Sequence, residues 1–180
     1  MSARPAIIYT LVFLVLLPIF IIGRRAERFA PELIATQESL LKLGAIDSIT
    51  VTRGAEKLEF RKTPDGKLYQ VVEPPGKFIP QDLMTSTVNL LLHEHSVEVV
   101  SQNSRDLSEF GLVHPKTRMT IRAPGRPKPI EIDFGAENPV ETAVYAKIEG
   151  VPKVFLMGRD LEYYQELMFE WIEGKQGKKA

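Results

Sequence analysis

The chain has 180 residues, is 44% apolar and 26% charged, and contains no cysteine. Such a composition belongs to a globular chain of one domain or two small lobes, not to a disordered one. Basic and acidic side chains number 23 each, and this zero net charge argues against a nucleic-acid-binding surface. Without cysteine there are no disulfides, thiolate metal sites, thiol nucleophiles or lipid-modified N-terminal cysteine.

Residues 1–28 read as a membrane anchor with a basic flank. The run from Ala6 to Ile22, AIIYTLVFLVLLPIFII, carries no charge. As a helix rising about 1.5 Å per residue it spans about 25 Å, the short end of what crosses a bilayer. Arg4 precedes it, and Arg24, Arg25 and Arg28 follow. Pro18 is tolerated in a membrane helix, where neighbours satisfy the freed carbonyl. The run outlasts the apolar core of a cleaved signal and no small-x-small site follows, so the expected state is uncleaved. Residues 6–22 are thus expected to contact the lipid bilayer. The arginine excess after the span places the following domain in the cytoplasm by the positive-inside rule.

Residues 29–45 form a juxtamembrane unit. Pro31 to Leu43 reads as a helix, with Pro at its first position, Gly44 beyond its last, and Leu33, Ile34, Leu40 and Leu41 on one face. A first lobe, 46–100, follows. Its strands are IDSITVTR, EKLEFRK and Leu68 to Val72, joined at Arg53-Gly54-Ala55-Glu56 and Thr63-Pro64-Asp65-Gly66. A helix from Pro80 to about Leu92 then presents Leu83, Met84, Val88 and Leu91, and Ser96 to Val100 is extended.

A linker, 101–116, leads to a second lobe, 117–173. Here the strands are Arg118–Arg122, Ile130–Phe134, Thr142–Ile148 and Val154–Met157. The last helix, Arg159 to Ile172, is expected to turn Leu161, Tyr164, Leu167, Met168 and Trp171 inward. Residues 174–180 form a tail. ITVTRGAEKLEFRK and MTIRAPGRPKPIEIDF open the two lobes alike, with Tyr69 and Tyr145 in matching strands. The expected fold class is α+β: an N-terminal transmembrane helix, then two similar antiparallel meander-plus-helix lobes.

The linker stretch Asp106-Leu107-Ser108-Glu109-Phe110-Gly111-Leu112-Val113-His114-Pro115 resembles the D-L-x-x-[YF]-G-L-x-x-P motif of the family known as domain of unknown function 4340. The resemblance extends from Ile46 to Trp171, through the paired leucines before the motif, Phe134-Gly135, and the V-Y-A-K and V-F-L-M strands. Phe110 stands where tyrosine is common. Domains of this family are similar to parts of auxiliary proteins encoded with ABC transporters, including the gliding-motility type. The resemblance implies a single-pass protein of the bacterial inner membrane with a periplasmic domain, and outweighs the small arginine bias that points inward. It supplies no catalytic residue. Read physically, Asp106, Leu107, Phe110, Gly111, Leu112 and Pro115 are a structural motif, with Gly111 at positive φ, Leu112 in the core and Pro115 stiffening the link.

Chemistry-bearing constellations are scarce. His93, His95 and His114 are the only histidines and the one candidate metal set, but the first two sit at a helix C-terminus, where histidine commonly caps carbonyls. Glu131 and Asp133 alternate with isoleucines as a solvated strand face does. Arg122, Arg126 and Lys128 cluster at one hairpin, a solvated turn unless it faces lipid headgroups. Tyr163 is the exposed aromatic of the last helix and, with Arg122 and Arg126, a candidate partner contact. No catalytic residue and no cofactor are expected. The function expected is a non-enzymatic assembly or accessory subunit of a membrane complex, ABC-transporter-like, whose partners are other membrane proteins. The alternative is a module binding a small molecule or glycan in a groove between the lobes, serving a transporter.

Overall fold

The structure, a computed structural model, describes residue 41 and residues 43–93, 97–103 and 106–174. The proposed anchor at 6–22, most of the juxtamembrane helix and His95 lie outside the described residues. Among the described residues no helix is long and apolar enough to cross a membrane.

Among the described residues eight strands and two helices make an α+β domain: β1 (Ser48–Arg53), β2 (Glu56–Lys62), β3 (Tyr69–Glu73), α1 (Gln81–His93), β4 (Val97–Ser101), β5 (Thr117–Arg122), β6 (Ile130–Glu137), β7 (Ala143–Ile148), β8 (Val154–Gly158) and α2 (Asp160–Glu173). All strands join one antiparallel sheet in the order β3-β2-β1-β5-β6-β7-β8-β4. Two separate sheets were expected. Instead β1 and β5, the first strand of each meander, pair directly, with Thr50 opposite Thr120. An unpaired strand edge inside a compact domain leaves donors and acceptors unsatisfied, and joining the meanders here removes two such edges. The expected groove between lobes is therefore a hydrogen-bonded ladder.

The ladders relate the meanders residue by residue about the Thr50–Thr120 pair. Phe60 faces Val71 in the first as Ile132 faces Ile148 in the second. By the same ladders Tyr69, opposite Lys62, matches Ala146, opposite Phe134, and not Tyr145. One residue of offset reverses the face. Tyr69 packs against the core, while Tyr145 points to the other side of the sheet, between buried Val144 and Ala146.

The strands alternate as a sheet buried on one side must. Ile49, Val51, Leu58, Phe60, Met119, Ile121, Ile132 and Phe134 face the helices and are at most 3% exposed. Each such side chain contributes roughly 1.5–3 kcal/mol on burial. α1 buries Leu83, Met84, Thr87 and Leu91, close to expectation, with Val88 at the margin. α2 is rotated from expectation: Leu161, Gln165, Met168, Phe169 and Ile172 face the sheet, and Tyr164, Leu167 and Trp171 are half-buried on its flank. The helix carries two adjacent apolar stripes, and the one ending in Ile172 takes the sheet. The other lines a hollow shared with α1.

The opposite face of the sheet is polar and carries cross-strand ion pairs. Arg118 grips Asp133 through two bonds, 2.5 and 3.0 Å, and the neighbouring carboxylate raises the guanidinium's pKa. Lys57 reaches Glu73 at 2.6 Å, which raises the Lys57 pKa. Burial pushes the Glu59 carboxyl up, but Arg61 and Lys57 outweigh it and hold it below the usual range.

Candidate functional site

Because β4 lies beyond β8 and β5 lies at the sheet's centre, the connection between them has to pass β8, β7 and β6. The D-L-S-E-F-G-L motif makes this crossing on the polar face. Asp106 starts it with an Asx turn, its carboxylate accepting from the Ser108 N–H at 2.9 Å and from the Ser108 hydroxyl, and these bonds hold its pKa low. The turn closes through Gly111 N–H to the Ser108 carbonyl and Leu112 N–H to the Leu107 carbonyl. Gly111 has φ 64°, as expected from the sequence.

The motif then docks on β6. The Ala136 N–H donates to the Phe110 carbonyl at 2.8 Å, where the β6–β7 register shifts between Phe134 and Glu137. Contact is close enough to require two glycines. A Cβ on Gly135 would lie 2.2 Å from the Phe110 carbonyl oxygen, and one on Gly111 would lie 2.7 Å from the Ala136 nitrogen. Phe110 meets Tyr145 edge-on, ring centroids 5.0 Å apart. Leu112 is buried, but beside Gly135 on the polar face and outside the main cluster. Its burial is as expected, but on the other side of the sheet: the motif approaches from the side the helices leave open. Pro115 is half-buried, just before the Lys116 N–H bonds the Phe134 carbonyl.

The remaining candidates are dispersed. His93 Nδ1 lies 2.9 Å from the Asn89 carbonyl, capping α1, and His114 is exposed beside the motif. Among the described residues no three His, Cys, Asp or Glu side chains are grouped to hold a metal ion. Tyr163 is 57% exposed and packs on Tyr164 at the rim of the hollow between α1 and α2, about 300 Å³ in volume, floored by Leu83, Leu167 and Trp171. Arg122 and Arg126 are exposed at one end of the sheet, far along the strands from Glu137 and Tyr163's N-terminal turn. They do not form one surface with Tyr163.

The strand edges are unequal. On β3 the Gln81 side chain acts as a ninth strand, accepting from the Tyr69 N–H and donating to its carbonyl at 2.9 and 2.7 Å. The Tyr69 hydroxyl donates to the Ile46 carbonyl at 2.6 Å, and burial pushes its pKa up. β4, at the other edge, exposes Val99 and Val100, 37% and 39%, beside a bulge in its pairing with β8. The sequence marked Ser96–Val100 as extended and gave no sign that it was an edge.

Among the described residues two buried side chains carry polar atoms without a hydrogen bond, Glu162 at Oε2 and Gln165 at both ends of its amide. Gln165 is 1% exposed, and neither its Oε1 nor its Nε2 has a hydrogen-bond partner. No family model matches the chain, and no curated protein or solved structure is similar to it at a significant level.

Proposed function

We propose that this protein is a non-enzymatic, single-pass membrane protein whose domain assembles with other membrane proteins by contact. Residues 6–22 supply the anchor, and the motif resemblance favours a periplasmic domain and an ABC-transporter-like partner. The observation that carries the contact reading is the β4 edge. Among the described residues β4 pairs only with β8, and a sheet edge with exposed valines is where a partner strand adds, main-chain bonds giving affinity and side chains giving choice. The reading as a ligand-binding module is weaker, because its expected groove is occupied by the β1–β5 ladder.

The test is purification of the full-length protein from its native membrane in a mild detergent, beside a Val99→Lys, Val100→Lys variant. A stoichiometric membrane subunit is expected with the wild type and lost from the variant. A lone, monodisperse wild-type protein would overturn the proposal.

A further inference from the structure

The ladders align one end of every central strand. Arg61, Ser48, Arg122, Ile130, Ile148 and Val154 mark it, and three hairpin loops, 62–68, 123–129 and 149–153, project from it. The chain also comes into the domain here. Leu41 is buried, Arg126 Nη2 donates to its carbonyl at 3.4 Å, and the Asp47 N–H bonds the Arg122 carbonyl.

This end is basic. Lys62, Lys67, Arg122, Arg126, Lys128 and Lys153 stand on it against Asp47, Asp65 and Glu149. Among the described residues none of those six cations has an ion-pair partner, nor do Lys77 and Lys147, whereas Arg61 at the same end is paired with Glu59, as Arg53, Lys57, Lys116, Arg118 and Arg159 are with acids elsewhere. Leu68, 48% exposed, sits among them at the base of the β2–β3 loop, bonded to Thr63. Cations left unpaired beside an exposed apolar residue suit a surface that is anionic outside and apolar beneath.

We infer that this end of the sheet lies on an anionic lipid surface, held by Arg122, Arg126, Lys128 and the lysines of the neighbouring loops. The inference rests on the proposed anchor. Ile22 and Leu41 are separated by a stretch that at full extension reaches only about 60–65 Å, at roughly 3.3–3.6 Å per residue. A bilayer holding residues 6–22 therefore keeps the basic end, the end from which the tether leaves, at high local concentration over its headgroups. Clustered lysine and arginine near such a surface bind acidic headgroups, and salt weakens the attraction.

Because the chain has no cysteine, single labels can be placed cleanly. Pro127→Cys marks the basic end, and Pro139→Cys, in the β6–β7 turn, marks the opposite one. Each full-length protein is labelled with an environment-sensitive fluorophore in nanodiscs whose lipid headgroups carry a quencher. In phosphatidylcholine with phosphatidylglycerol, quenching at residue 127 is expected to exceed that at 139 severalfold. It is expected to fall to the pure-phosphatidylcholine level in 1 M salt, where the Debye length is about 3 Å, and in an Arg122→Gln, Arg126→Gln, Lys128→Gln variant. Lysine in place of both arginines should restore it. Equal quenching at both sites, or quenching indifferent to phosphatidylglycerol, would overturn the lipid contact while leaving the anchor standing. A full-length protein that stays out of the nanodiscs would overturn the anchor, and this inference with it.

Discussion

The two ends of the sheet are finished in opposite ways. At one, the motif loop is clamped to β6 through Gly111 and Gly135 with no room for a methyl group, and Lys116, Glu137, Arg159 and Glu162 link the loop, β6 and α2 by ion pairs of 3.3–3.7 Å. At the other, Gly125 and Gly150 sit in open hairpin tips with nothing within 4 Å of a Cβ, and among the described residues Lys62, Lys67, Arg122, Arg126, Lys128 and Lys153 have no ion-pair partner. Tight packing and satisfied charge serve stability. Loose tips with unpaired charge do little for it, which is the pattern of a surface reserved for something else.

The contrast is broken most severely at Gly135. Gly135→Ala drives a Cβ against a backbone oxygen, and we expect a loss of about 3 kcal/mol or more in urea unfolding. That is a large share of a typical domain's stability. Leu112→Ala should cost roughly 2–3 kcal/mol, from lost burial and an incomplete collapse around the gap. Gly125→Ala at the basic end should cost only about 1–2 kcal/mol, the penalty of its left-handed φ of 74° with no clash added. Equal losses at Gly135 and Gly125 would remove the distinction between the ends.

Smaller effects sharpen it. Gln165→Met should stabilise the domain by about 1 kcal/mol, since the buried amide has no partner and a thioether of similar size needs none. A fall in melting temperature would mean that a bound water satisfies the amide. Asp106 is an acid-side effect. Its carboxyl is held below the usual range in the fold, so its contribution is complete above the ordinary carboxylate pKa near 4 and disappears as pH drops through the depressed value. Asp106→Asn should flatten the decline in stability between about pH 5 and pH 2. Neutralising Arg126, exposed and held only by one long hydrogen bond to the Leu41 carbonyl, should change stability by less than about 0.5 kcal/mol.

Much of the fold was legible, and the reasons are local. Period-two alternation and Pro-Asp-Gly or Ala-Pro-Gly turns placed every strand to within a residue or two, except that β6 runs on past Phe134 to Glu137. Gly111's positive φ was readable from its place at the end of a turn. What escaped depended on distant partners. Nothing in β1 or β5 alone shows that they pair, or that β4 leaves its neighbours to join β8. Nor does the spacing of α2 say which of its two apolar stripes takes the sheet. The basic end was half-visible: Arg122, Arg126 and Lys128 are near in sequence, but Lys62, Lys67 and Lys153 join them only through the strand ladders.

The most direct test of the two-ended design is hydrogen exchange of the full-length protein, compared between nanodiscs containing phosphatidylglycerol and detergent. Slower exchange is expected in residues 62–68, 123–129 and 149–153, with residues 106–116 and 138–142 unchanged. Protection spread evenly over both ends, or confined to the motif end, would contradict it.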